Sequence, residues 1–203
     1  MIGLLTGGLP EHVDVGGVSV RVRTDWRVWV DVWRVIDNAT ASDEDKAMGI
    51  LALAFPDDGD KPTPLDVAMG SPNEAIEAAM LFLERKRPGE DSRPQTARER
   101  RNAKKHLLDW DYDGSRIAAD YQREYSIDLT GADMHWWRFM ALFNGLSDKS
   151  QIMQAVSTRA ADMDEKGLAK EERKALRERK AAYVLPARNR EEAAENRRIL
   201  RGE

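Results

Sequence analysis

Valines alternate with polar residues near the start of the chain: Val13 and Val15 precede Gly16-Gly17, and Val18, Val20 and Val22 follow it. A period of two broken by a Gly-Gly pair predicts a β-hairpin over residues 11–23, because glycine supplies the positive φ of a primed turn. Val15 then opposes Val18 and Val13 opposes Val20, so one face of the ribbon carries four valines. A lone hairpin is marginal in water, and that face needs a cover. From Trp26 the period becomes helical, with Trp26, Trp29, Val30 and Trp33 at i, i+3, i+4 and i+7. Thr24 or Asp25 caps its start, Asp37-Asn38 stops it, and its tryptophan stripe is expected to lie on the hairpin.

Further helices follow from caps and breakers. Ser42-Asp43-Glu44-Asp45 opens one that runs to Phe55 and stops before Pro56. Residues 56–64 read as a loop by composition. Ser71-Pro72-Asn73-Glu74 opens the next, with Ile76, Ala79, Met80 and Leu83 on one side and an end near Arg87-Pro88-Gly89. Residues 87–95 form the best linker candidate, and Thr96-Ala-Arg-Glu99 can box a helix reaching Leu107-Leu108. Residues 115–127 place Ile117, Ala118, Tyr121 and Tyr125 on one helical side. Thr130-Gly-Ala-Asp133 caps a helix from Met134 to Leu146 that is apolar almost all round, and Ser147-Asp148 starts one carrying Ile152, Met153 and Val156. Such an apolar helix is buried in its own domain or against a partner.

Residues 164–203 are different: nine acidic and twelve basic residues with few large apolar ones predict solvated helices around 169–183 and 189–201, broken at Pro186. The pattern as a whole predicts a mainly α protein, an N-terminal β-hairpin packed on a multi-helix bundle. A single domain over residues 1–160 is followed by a charged helical extension over 161–203.

Composition narrows the function classes. The 203 residues are 41% apolar and 33% charged, and 32 Lys+Arg against 36 Asp+Glu leave a net charge of −4. A dedicated nucleic-acid binder would be basic, so nucleic acid is not expected as a partner. The basic cluster Arg98, Arg100, Arg101, Lys104 and Lys105 sits within a segment, residues 85–106, of charge +6, and residues 109–133 carry −5. An internal or intersubunit charge match is the expected use. Absence of cysteine removes disulfides and thiolate chemistry. His12, His106 and His135 have no metal-binding spacing, and no glycine-rich phosphate loop or nucleophile elbow occurs. No enzyme and no cofactor is expected. Met1-Ile-Gly-Leu-Leu is too short for a signal peptide and no run approaches the ~20 apolar residues of a membrane span, so a soluble protein is expected.

One segment imitates a metal loop. Asp109, Asp111, Asp113 and Gly114 stand at positions 1, 3, 5 and 6 of an EF-hand pattern, with Asp120 at position 12. Arg116 at position 8, the short Asp120 and the lack of a second hand speak against calcium. The competing reading is an interhelical turn in which Asp111 or Asp113 caps the following helix. Calcium binding through Asp109, Asp111, Asp113 and Asp120 stays open as an alternative.

The run Leu108-Asp-Trp-Asp-Tyr-Asp113, the segment Tyr125-Ser-Ile-Asp-Leu129, and Met134-His-Trp-Trp-Arg-Phe139 with Leu142-Phe-Asn-Gly-Leu146 resemble the phage gene-product-fifteen family. The similarity is specific over about residues 107–147 and weaker at 11–37 and 166–185. The resemblance implies a non-enzymatic tail-assembly protein of long-tailed phages, acting in the cytoplasm of the host bacterium as a chaperone or adaptor for the tape-measure protein. The major tail protein and a second copy of the chain are further possible partners, and a structural subunit retained in the virion is the alternative role. Trp136, Trp137, Met140 and Phe143 are the candidate partner-binding residues, with Trp26, Trp29 and Trp33 next. Whether these side chains form core or groove is open at the level of sequence.

Overall fold

In the computed structural model, residues 8–86, 96, 102, 105–163 and 167–201 are described. They contain a two-stranded hairpin, β1 (His12–Val15) and β2 (Val18–Arg21), and nine helices. The helices are α1 (Trp26–Asp37), α2 (Asp43–Ala54), α3 (Pro64–Gly70), α4 (Pro72–Glu84), α5 (Gly114–Tyr125), α6 (Trp136–Gly145), α7 (Gln151–Ala160), α8 (Lys170–Ala181) and α9 (Arg190–Arg201). The expected linker at 87–95 lies outside the described residues, as does most of the helix expected from Thr96. Residues 105–109, where that helix was to end, are not helical.

The chain divides into two compact units: Met1–Ser92 with Ala132–Gly145, and Arg93–Gly131 with Leu146–Glu203. The first unit holds the hairpin in the expected antiparallel register, Val15 opposite Val18 and Val13 opposite Val20. Gly16 and Gly17 turn the chain with φ of 59° and 87°, the left-handed region that glycine enters without a Cβ clash. The cover is not the one expected. β1 packs on α4 and β2 on α3, whereas α1 packs chiefly on α2 and also on α6. Val15 and Val20 are buried, but Val18 at the tip remains 52% exposed.

The predicted caps explain most boundaries. Asp25 accepts the Arg27 amide at the start of α1, and Ser42 with Asp45 forms a full capping box on α2. The helix ends are closed from a distance: Lys46 donates to Ile36 O, and the Arg23 guanidinium donates to Ala52 O, Leu53 O and Phe55 O. These cations satisfy carbonyls that lack an intrahelical partner. α1 and α2 approach closely at Gly49, where an added Cβ would meet a Val35 methyl at 3.1 Å.

Some elements depart from the pattern. The loop expected over 56–64 gives way at Pro64 to α3, for which no helix was expected; Thr63 and Asp66 make a capping box there, with Pro64 in the first turn. α4 buries Ala75, Ala78, Ala79, Phe82 and Leu83, leaving Ile76 and Met80 half-buried, so its core face is rotated toward the alanines. α7 begins at Ser150, which accepts the Met153 amide, and not at Ser147.

In the second unit α5 packs on α7 and α8 packs on both α7 and α9. Ile117 and Tyr121 are buried on α5, and Ile152 and Ala155 on α7. The charged tail helices share a small core of Met163, Leu176 and Ile199, flanked by Ala161, Leu168, Ala181 and Val184.

Candidate functional site

The tryptophan-rich segment is set into the first unit by a short piece of extended chain. Asp25 and His135 form a β-bridge, with Trp26 N–H bonded to Met134 O at 3.0 Å and Trp136 N–H to Thr24 O at 2.7 Å. Helix α6 therefore starts at Trp136 and not at Met134, because the Met134 carbonyl is given to this bridge and His135 O is the first to accept a helical bond, from the Phe139 amide. The His135 side chain takes over the capping expected of Thr130-Gly-Ala-Asp133: its Nδ1 accepts the Trp137 amide at 3.0 Å. Its Nε2 faces the Pro10 carbonyl at 2.9 Å. A lone pair on Nδ1 and a proton on Nε2 satisfy both contacts, which defines one neutral tautomer.

Trp136 is completely buried and donates its indole N–H to Leu83 O at 3.0 Å. Trp137 donates its own to Phe82 O, also at 3.0 Å. Both acceptors lie in the last turn of α4, so the two adjacent indoles close that helix end while burying their rings. The aromatic contacts continue through Phe139, stacked on Trp26 at 4.7 Å and 9° and on Trp136 at 5.7 Å and 19°. Phe139 also stacks on Phe143 at 6.4 Å, and Trp29 meets Phe82 at 4.7 Å. Trp26 and Trp29 donate to Ala132 O and Arg23 O. This is the usual arrangement for buried indoles, an apolar ring with its one polar atom bonded.

The candidate partner-binding residues thus occupy two environments. Trp136 and Phe143 are buried, as is Trp29; Trp137 and Met140 are half-buried, as are Trp26 and Trp33. Trp137 and Met140 are the two members of the candidate set on α6 that keep solvent-facing surface.

The acidic turn lies in the second unit and overturns the calcium alternative. Asp109 Oδ1 accepts the amides of Asp111 and Tyr112 at 3.0 and 2.8 Å. Asp113 is fully buried and receives a two-pronged bond from Arg159, at 2.6 and 2.9 Å, and a third from Arg116 at 3.0 Å. Asp120, also fully buried, points to the start of α7, where it accepts the amides of Gln151 and Ile152, with Arg123 at 2.7 Å. These carboxylates diverge to separate cationic and amide partners. Gly114 is the first residue of α5 and has no positive φ, so it does not make the tight turn of a calcium loop. Among the described residues no group of three or more His, Asp or Glu side chains converges as metal ligands. Asp113 also does not cap α5 through its side chain.

A cavity of about 760 Å³ opens in the same unit, lined among others by His106, Met163, Lys180, Glu192 and Ile199. Its charges are of both signs and are engaged by the fold. Lys105 and Lys180 donate to Ala160 O and Arg159 O, the last carbonyls of α7. Burial pushes the Lys180 pKa down and nearby Lys105 adds to this, against Glu195 and Asp162. His106 lies between Asp109, at 3.8 Å, and Glu192, at 3.6 Å. Burial raises the Glu192 pKa, but hydrogen bonds from Arg188 outweigh it and hold the carboxyl below its ordinary range.

Residues 5–185 match the family model for the bacteriophage Gp15 protein. The chain belongs to that family. No curated protein and no solved structure matches it. The Gp15 match runs through the hairpin, the acidic turn and the tryptophan helix, and it ends at Leu185, before α9 begins. No helix among the described residues of this Gp15 protein is long and apolar enough to cross a membrane.

The roles of three residues of the Gp15 fold differ from anything expected of them from the sequence. Arg159 stands on the stripe Ile152, Ala155, Arg159, and a cation at a core position signals a buried carboxylate partner. Asp120 likewise shares a buried stripe with Ile117 and Tyr121. His135 becomes a cap through the bridge to Asp25, which no local sequence signal announces.

Proposed function

We propose that this Gp15-family protein is a non-enzymatic tail-assembly factor, a chaperone or adaptor for the tape-measure protein, working in the cytoplasm of the host bacterium. The observation that carries this reading is the family match over residues 5–185, which takes in both compact units. A tape-measure protein is a very long helix-prone chain whose apolar surface is unsatisfied before assembly, and an apolar helical face can shelter it by helix-in-groove recognition. The half-buried Trp137 and Met140 are offered for that contact, on a helix anchored by the buried Trp136 and Phe139. A rigid base under a partly exposed aromatic is the arrangement expected of a binding anchor.

The test is co-expression with the tape-measure protein of the same phage. Wild-type protein is expected to raise the soluble yield of the tape-measure protein, and a W137A/M140A double variant that still folds, by circular dichroism, is expected to lose that effect. No change in solubility with the wild type would defeat the chaperone reading. Full activity of the double variant would keep the role and move the contact elsewhere.

A further inference from the structure

The imidazole of His135 stands where a proton would break the structure around it. Its Nδ1 accepts the Trp137 amide at 3.0 Å, its Nε2 meets Pro10 O at 2.9 Å, and its ring lies 5.7 Å from that of Phe82 on α4. Through these two contacts His135 joins Pro10, 125 residues before it and leading into β1, to the first turn of α6. We propose that His135 is a proton-operated clasp: neutral, it ties the segment at Pro10 to the start of the tryptophan helix, and as imidazolium it releases the first turn of α6. The reason is stoichiometric. Imidazolium has a donor at both nitrogens, so Nδ1–H would face the Trp137 N–H, and it would do so at the positive end of a helix. No other atom of the ring can replace the lost acceptor.

The surrounding charges do not cancel this. Glu11, next to Pro10, favours the charged form. Asp25, on the other side of the β-bridge, is engaged by Arg27 at 3.1 Å and by the Arg27 amide. Asp133 lies 3.6 Å from Arg27 with its carboxylate 98% exposed, and α4 presents the apolar Phe82 ring. Burial pushes the His135 pKa below its ordinary 6.5, and the opposing influence of the Pro10 carbonyl and Glu11 is smaller. A histidine whose folded pKa lies below the unfolded value loses stability as pH falls below 6.5 and levels off once the folded form also protonates.

The experiment is nitrogen-15 NMR on the full chain. At pH 7.5 the His135 ring is expected in the Nε2–H tautomer. Between pH 7 and 5 the hydrogen-exchange protection of the Trp137 amide, corrected for intrinsic exchange, is expected to fall by up to about tenfold per pH unit, the slope of one linked proton. His135→Asn, which keeps a capping acceptor but cannot titrate, is expected to hold Trp137 protected across the range. An Nδ1–H tautomer at pH 7.5, or protection unchanged down to pH 5, overturns the proposal. So does the same pH-dependent loss in H135N, which would assign the proton to another group. The tautomer and the wild-type titration decide the matter even where the variant fails to fold.

Discussion

The buried carboxylates Asp113 and Asp120 are each paired with arginine, and the pairs define what single side chains are worth. Asp113 is sealed from solvent with Arg159 forked onto it, and Arg159 also donates to Leu107 O and Tyr183 O. Removing one partner of a buried pair costs about 3–5 kcal/mol when the other is left uncompensated, and Asp113, which keeps Arg116, sets the lower end of that range. Arg159→Met is expected to lose that much in urea denaturation, and the double variant R159M/D113L to recover most of it. A half-buried carboxylate acts through pH instead. Glu124 accepts the Ser147 amide and hydroxyl, both at 2.9 Å, and the amide bond is the main reason its pKa lies below 4.5. Its contribution is complete above pH 4.5 and is lost as pH falls through the lower folded value. The melting temperature of wild type is therefore expected to drop more steeply from pH 5 to 3 than that of E124Q.

At the scale of the element, helix ends decide more than helix interiors. Ser42 and Asp25 stand where the sequence places caps, and α1 and α2 begin there. Thr63-Pro64-Leu65-Asp66 carries the same capping chemistry, but it follows a run of prolines and aspartates whose composition reads as loop, so α3 was hidden. Thr63→Ala is expected to cost about 1 kcal/mol, read by chemical denaturation. α1 and α2 also end where the sequence stops them, at Asp37-Asn38 and Phe55, but the groups that bond the last carbonyls were illegible, because they come from elsewhere in the chain: Arg23 for α2, Lys46 for α1, and the indoles of Trp136 and Trp137 for α4. Trp136→Phe keeps most of the ring and orphans Leu83 O, a loss of about 1–3 kcal/mol in the same measurement.

For the whole molecule the decisive feature is the order in which the chain visits its units. The first is built from residues up to Ser92 and completed by Ala132–Gly145, which brings in α6. Trp26, Phe82 and Leu83 find Phe139, Trp137 and Trp136 only across 53 to 113 residues of sequence. A chain ending at Lys86 lacks these rings and the acceptor pairing of α4. It is expected to show helical circular dichroism without a cooperative melt, whereas the full chain melts cooperatively. Contacts of such separation also predict slow folding relative to a local helical hairpin. On the assembly side, mass spectrometry of purified virions is expected to find the tape-measure protein without this chain. Stoichiometric retention would instead favour a structural subunit.

What the amino-acid sequence determined alone is local. The valine alternation with Gly16-Gly17 dictates a hairpin and its register, because side chains alternate every residue and only glycine turns so tightly. Periodicity and N-terminal caps dictate where most helices begin, since both involve residues within one turn of each other. The tertiary structure decided which faces meet. It chose α3 and α4 over α1 to cover the hairpin, turned the EF-hand-like aspartates toward Arg159 and the start of α7, and made a histidine into a helix cap. It also separated Trp136 and Phe143, in the core, from Trp137 and Met140, at its edge. A helix apolar on every side carries no mark of which side is covered. That is settled only when distant segments compete for the same surface, and the outcome depends on shape and on which polar atoms can still be bonded.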